Sequence, residues 1–506
     1  MSATFWRGHV SKRPHIVLLS AVAAIAVILF ALGNLAPLNQ NDFMYAVAPV
    51  VRVQNGDLYT NVPFLQAPVS IQFNSMLVAV TGDANIFLLG RAVSMLLVLL
   101  AVLLPVLTRS KLANIDIWVV YVALCLTNLF VVTNSSEIGN YSISLLFLSA
   151  AVTVVNTPGS AVWRGFAACV CTGLAISTKL YFIIICPGLL LYFLLTERSA
   201  LNWRVLVACG LGFLVGLAPI LFFMARDFQS FMRWNVQVHQ LILLTRVTDP
   251  ASGLLRIGKF TSVFVVLMSI PIGFVVVAAV KTWRRGGPEW RQACGTLVLL
   301  TSAGIMAISP VYVFEQYFGP LAFLLFLFSA PWNSTRDATR RYVILGGVML
   351  CIQSVILAQS VSQSVTRNGN LGVAQVLKLQ SHARQIVVND YNCERKLYTS
   401  APLFLLENDV RYPPELAAGP FLMFLREALA RKGEKFDLNA HIQKWNPDVV
   451  MWGYYLGSQE PNEDAVDRII RDYAINHAFV VTTIGQIDGR VIELGYRAGC
   501  KTPPRP

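Results

Sequence analysis

The chain has 506 residues, 55% hydrophobic and only 13% charged, with a mean hydropathy of +0.59. That balance excludes an ordinary soluble domain and describes a polytopic membrane protein. The net charge of +13 does not point to nucleic acid, because the basic residues are dispersed among short loops and form no stripe with interleaved aromatics.

The first apolar run, His15 to Ala36, is long enough at about 1.5 Å per residue to cross a hydrocarbon core of about 30 Å. No small-residue cleavage site follows a short apolar region, so the run reads as a retained span. Arg7, Lys12 and Arg13 precede it and place the N-terminus in the cytoplasm.

Between this span and the next lies a long loop, residues 37–85. Its apolar residues Phe43, Tyr45, Val47, Val50 and Val51 recur at helical spacing among polar groups, which predicts helices lying on the membrane surface. Asp42 falls where the first span ends, and an acid at that depth requires a partner or a task. It is the candidate catalytic base; the structural alternative is helix capping at Asn41-Asp42. Asn55-Gly56-Asp57 is ordinary turn chemistry.

Further apolar runs follow at Ile86 to Leu107, Ile115 to Val132, Ile143 to Val155, Gly165 to Leu195, Val205 to Met224, Phe260 to Val280, Ala293 to Ile308, Tyr317 to Ala330 and Tyr342 to Ala358. Gly165 to Leu195 is too long for one span. Reading it as a bent pair puts Arg198, Arg204, Lys281, Arg284, Arg285, Arg291, Arg336, Arg340 and Arg341 on the cytoplasmic side. About eleven spans result, with an exterior C-terminus.

Polar groups collect near the predicted outer face. Tyr45 and Tyr59 accompany Asp42; Glu137 closes the polar segment Thr133 to Glu137; Lys179 stands in the bend of the long run. An ammonium there needs an anionic partner, unless it snorkels to the boundary. Arg233, His239, Arg246 and Arg256 form a basic collar in the next exterior loop, suited to a phosphate at headgroup level or simply to solvent and lipid. Gln316 and Tyr317 begin a short span and can line the same cavity. Asp42 and Glu137 could supply oxygen ligands to Mg²⁺ or Mn²⁺, although their spacing does not demand a metal.

From about Ser362 the composition changes, dividing the chain into a membrane domain, 1–361, and an exterior α/β domain, 362–506. Gln385 to Asn389, Val449 to Trp452, Phe479 to Ile484 and Val491 to Leu494 read as strands; Pro420 to Arg431 and Glu463 to Tyr473 read as helices. Neither GxGxxG nor a P-loop is present, so no nucleotide site is expected. Cys393 and Cys500 in this exported tail are a plausible disulfide.

In order, these features resemble the GT-C membrane glycosyltransferases, particularly the branch of the lipid A aminoarabinose transferase and the protein mannosyltransferases. The resemblance rests on Asp42, Tyr45, Gly56-Asp57-Leu58-Tyr59, Pro63 with Pro68, Gly82 and Arg91, then Gly173 to Lys179, similar to Gly-Leu-Ala-x-x-Thr-Lys, and Gln316 to Leu321, similar to Tyr-x-x-Pro-Leu. Two positions depart from the pattern. Phe64-Leu65-Gln66-Ala67-Pro68 stands where that branch has an aromatic-Asp-Lys-Pro-Pro segment, and Asn140 stands where an acid is expected early in the fourth span.

The resemblance implies an enzyme of a bacterial inner membrane that moves a sugar from a polyprenyl-phosphate carrier to a glycolipid, polysaccharide or protein on the outer face. In that scheme Asp42 takes the acceptor proton, while Lys179, Arg246 and His239 receive the departing phosphate. Tyr45, Tyr59, Glu137, Gln316 and Tyr317 would contact substrate. Two rivals remain: a lipid-linked sugar flippase, and a membrane-anchored glycan-binding module. The flippase reading expects midplane charges and related halves that this sequence does not display.

Overall fold

The computed structural model describes residues 40–82, 85–108, 115–135, 138–197, 202–240, 250–286, 289–310, 315–330, 336–367, 373–390, 395–399, 410–414, 437–453, 463–487 and 490–500. The first predicted span, Glu137, Arg246, Cys393 and the predicted helix Pro420 to Arg431 lie outside these residues, and nothing of the Cys500 side chain is described.

The fold is a helical membrane domain with a small sheet at its C-terminal end. The loop after the first run forms two helices, α1 (Gln40–Asn55) and α2 (Pro68–Thr81). Then come α3 (Ile86–Thr108), α4 (Ile115–Thr127), α5 (Leu129–Ser135), α6 (Tyr141–Val155), α7 (Ala161–Thr178), α8 (Ile185–Thr196), α9 (Trp203–Arg226) and α10 (Phe228–Met232). The remainder of this part is α11 (Pro250–Leu267), α12 (Ser269–Arg285), α13 (Glu289–Ile308), α14 (Gly319–Ser329) and α15 (Arg336–Arg367).

Among the described residues five helices are long and apolar enough to cross a membrane: α3, α7, α9, α13 and the Asp337–Ser360 stretch of α15. The α11–α12 pair, bent by 70°, makes a sixth if it counts as one span. Shorter apolar helices fill the spaces between them, as hydrocarbon requires of any backbone it surrounds. The long Gly165 to Leu195 run divides at Lys179, whose extended φ/ψ ends α7 before a 3-10 turn, Leu180–Ile184, leads into α8.

One expectation is overturned for α1. Met44, Tyr45, Ala46, Val47, Ala48, Val50 and Val51 are each at most 3% exposed and all lie in the core. The helix is apolar on every side along this stretch, and such a helix is driven inside the protein instead of floating on a surface. Nor does Asp42 cap it, since it sits within the first turn.

The C-terminal part has α16 (Val373–Asp390), β1 (Leu397–Thr399), α17 (Leu438–Trp445), β2 (Val449–Trp452), α18 (Glu463–Asn476), β3 (Phe479–Ile487) and β4 (Arg490–Arg497). The strand order is β1-β2-β4-β3, with β1 parallel to β2 and the β3–β4 hairpin antiparallel. One face of the sheet packs Tyr398, Val450 and Trp452 against Leu438, Ile442, Val466 and Ile470. The other meets α16, which joins it to the membrane core through Ala383 and Val387.

The sequence places β2, β3, β4 and α18 within a few residues of their observed bounds. Gln385 to Asn389 is not a strand. It completes α16, because the buried positions Gln380, Ala383 and Val387 recur every three or four residues. That helical spacing overrides the local β-branched run.

Candidate functional site

Four chain segments converge beside the N-terminus of α6. Asp42, in the first turn of α1, is fully buried and paired with Arg91 of α3, Nη2 to Oδ2 at 2.6 Å and Nε to Oδ1 at 3.3 Å. Its Oδ1 also accepts the Ile138 amide at 2.8 Å. Gly90 permits this approach: a Cβ there would lie 2.9 Å from the Ile138 side chain. The start of α1, the span α3 and the turn before α6 are thus tied to one carboxylate.

Two residues beyond Ile138, Asn140 occupies the N-cap position of α6 but makes no side-chain capping bond. Its amide turns instead to Lys179 Nζ, 3.4 Å from Oδ1, and to Gln66, whose Oε1 accepts from Nδ2 at 3.1 Å. Asparagine at a helix start ordinarily satisfies an orphan backbone donor, worth about 1 kcal/mol. Here that contribution is given up for side-chain contacts.

Lys179 is only 5% exposed. Its ammonium lies 3.6 Å from the centre of the Tyr141 ring and 5.3 Å from that of Tyr317. Both rings belong to a tyrosine row, Tyr141–Tyr317–Tyr181, with centroid separations of 5.5 and 6.3 Å, that runs from the interior to partly exposed Tyr181. Aromatic faces attract a cation without neutralising it. The end of α7 is fixed by an unusually close crossing with α9. A Cβ on Gly173 would fall 2.8 Å from the Gly216 backbone, and Ser177 donates to Gly216 O at 2.9 Å.

The Phe64 to Pro68 turn is held on two consecutive carbonyls. His239 bonds Leu65 O, and Tyr59 donates to Gln66 O at 2.7 Å. Since a carbonyl can only accept, His239 presents a protonated Nε2 there. Burial pushes its imidazole below the ordinary value, with the nearby Lys179 charge acting the same way against the opposing Leu65 bond. Tyr59, at positive φ, is wedged edge-on between Phe223 and Phe231, and burial raises its phenol.

The structure therefore gathers Lys179, Tyr317 and His239 around the 64–68 turn, with Tyr45 close to Tyr141 and Asp42 one turn behind. Gln316 is buried at the start of the Tyr317 segment. Arg233 instead faces outward, next to Trp234. Sequence reasoning missed Tyr141 and the Gln66–Asn140 contact, which no local pattern announces.

Asp42 is a poor site for a metal. The Arg91 guanidinium occupies both carboxylate oxygens, and a second cation would be repelled. Among the described residues no three His, Cys, Asp or Glu side chains gather to hold an ion.

No protein-family model matches the chain, and no curated protein resembles it in sequence. Its structure is similar to that of ArnT from Cupriavidus metallidurans. In the form bound to undecaprenyl phosphate, the TM-score is 0.63 at 11% identity, covering 99% of this chain and 100% of that one. For the apo form, the TM-score is 0.59 at 11% identity, covering 97% and 100%. From α1 to the C-terminal sheet, the chain has the GT-C fold that its motifs resemble.

Proposed function

We propose that the protein is an inverting glycosyltransferase of a bacterial inner membrane, taking its sugar from a polyprenyl-phosphate carrier and passing it to a glycolipid, polysaccharide or protein acceptor. The observation that carries this reading is the Lys179 ammonium, withdrawn among tyrosine rings and an amide at the broken end of α7 in a GT-C fold. A buried cation held by aromatic faces and an amide oxygen suits a phosphate that acquires charge as it leaves. The ArnT structure bound to undecaprenyl phosphate makes a polyprenyl carrier the natural candidate donor.

In the proposed reaction the acceptor hydroxyl attacks the anomeric carbon as the carbon–oxygen bond to phosphate breaks. The hydroxyl proton passes to Asp42 and the lipid phosphate departs onto Lys179. Arg246, outside the described residues, would add to that cationic wall, and Tyr45, Tyr317 and Gln316 would line the substrate. Residues 1–361 would carry catalysis, with 362–506 on the outer side as a supporting domain.

The geometry of Asp42 favours a second reading of that residue alone. Arg91 and the Ile138 amide already engage its carboxylate, so it can serve as a clamp that positions the site. The assay is release of undecaprenyl phosphate from lipid-linked sugars by the purified protein in nanodiscs. Lys179→Ala is expected to slow release by about 10²-fold or more. Movement of intact lipid-linked sugar across vesicles, without release, would favour the flippase and end this proposal.

A further inference from the structure

A groove of about 350 Å³ opens between the end of α12 and the start of α13. Val280, Ala293 and Leu297 make it apolar, and Trp283 and Trp290 stand exposed on it beside Arg284. The packing of α8 fixes where the groove lies. Starting soon after Lys179, α8 sets Gly188 against Ser302 of α13 and then Tyr192 and Leu195 against Gly295, so the groove is at the end of this helix pair away from Lys179. With 20 residues, α13 rises about 30 Å, the thickness of a hydrocarbon core. Trp163 and Trp203, at the starts of α7 and α9, are exposed at this end too, and tryptophans gather where hydrocarbon meets headgroups.

Lys281, Arg284, Arg285 and Arg291 crowd the same two helix ends, all exposed, with Glu289 as the acid among them. None of the five forms an ion pair among the described residues. The segments that connect helices on this side, 109–114, 198–201, 287–288 and 331–335, contain no acid.

We infer that the groove binds an anionic glycerophospholipid, with an acyl chain along Val280, Ala293 and Leu297 and the headgroup phosphate against Arg284 and its basic neighbours. Guanidinium groups bind phosphate oxygens in a fork, and the two tryptophans bracket the level at which a headgroup sits. A zwitterionic lipid would bring its own ammonium against these cations, whereas a glycerol headgroup leaves the phosphate charge for the protein. A second copy of the chain docked face to face would oppose the same four cations to themselves. Such a site is independent of the proposed reaction, which lies about a membrane's thickness away.

The test uses the full chain in phosphatidylcholine nanodiscs that contain a photoreactive lipid with a diazirine on one acyl chain, either phosphatidylglycerol or phosphatidylcholine. Labelled peptides are quantified by mass spectrometry. Peptides of α12 and α13 that line the groove are expected to take the phosphatidylglycerol label at least about fivefold more than the phosphatidylcholine label, the factor of a single cation at headgroup level. Arg284→Gln with Arg291→Gln, both on the surface, should lower the phosphatidylglycerol label at least about fivefold. Ala293→Trp, which fills the groove and keeps every charge, should lower it as well. Equal labelling by the two lipids marks ordinary bulk-lipid contact and overturns the inference. So does a label that the arginine changes leave intact. Loss of label in the arginine variant with full labelling of Ala293→Trp overturns the groove as the site, leaving only surface charge. Two chains joined through Cys294 by a bis-maleimide would assign the groove to a second copy and overturn it equally.

Discussion

Arg91 reaches from α3 into the first turn of α1 and meets Asp42 at 2.6 Å, both side chains withdrawn from solvent. Breaking a buried ion pair from one side leaves an uncompensated charge and costs about 3–5 kcal/mol, whereas replacing both partners often costs little. Arg91→Met is therefore expected to lower the thermal midpoint sharply, and adding Asp42→Asn to recover most of the loss. The double variant also separates the two readings of Asp42. Recovered stability with restored undecaprenyl phosphate release marks a clamp; recovered stability without release marks a base.

His239 gives the site a pH dependence. Its imidazole is held below the ordinary value of about 6.5 by burial, so the unfolded chain takes up a proton that the folded protein resists. Stability is complete above the unfolded value and falls as the pH drops through it toward the folded one. Thermal midpoints in nanodiscs at pH 7.5 and 5.5 should differ more for the native protein than for His239→Gln, whose amide can still donate to Leu65 O. An equal acid response in the two proteins would remove His239 as its source.

The close crossing of α7 and α9 predicts an asymmetry among glycines. Gly173→Ala drives a Cβ into backbone that cannot move aside, and about 1–3 kcal/mol of destabilisation is expected, with a loss of release activity as Lys179 shifts. Gly210, also in α9, has nothing within 4 Å of its Cβ direction, and Gly210→Ala should be neutral or stabilising by up to about 1 kcal/mol. Paired thermal and activity measurements on the two variants check this.

The C-terminal domain is fastened to α1 by side-chain amides that imitate strand pairing. Gln54 donates to Val410 O at 2.7 Å and accepts from Tyr412 N at 3.0 Å, while Asn55 donates to Tyr412 O at 3.1 Å. The double change Gln54→Ala and Asn55→Ala removes three bonds of about 1 kcal/mol each. Faster cleavage of the 391–436 region in limited proteolysis is the expected result, and an unchanged cleavage rate would show that packing through α16 suffices.

Much of this was legible without coordinates. Hydropathy marks the helical runs, the break at Lys179 and the sheet of the tail, because each leaves a periodic signal a few residues long. Asp42, Lys179, Tyr59, His239 and Tyr317 stand out as polar groups where hydrocarbon tolerates few. What stays hidden is pairing at long range. Gln66 and Asn140 appear as two separate oddities 74 residues apart, and only the folded chain shows that each explains the other. The burial of α1 is masked for a different reason: the polar ends, Gln40 to Asp42 and Arg52 to Asn55, make the whole run look amphipathic, although Met44 to Val51 between them is apolar on every side.

Because α1 is gripped by Arg91 near its beginning and by the 410–412 segment at its end, it behaves as a beam with two fixed supports. A load on the tail would therefore be felt at the buried Arg91 pair as a change in how Asp42 is aimed. A chimera carrying another protein's tail should work only when residues 54 and 55 are exchanged together with it.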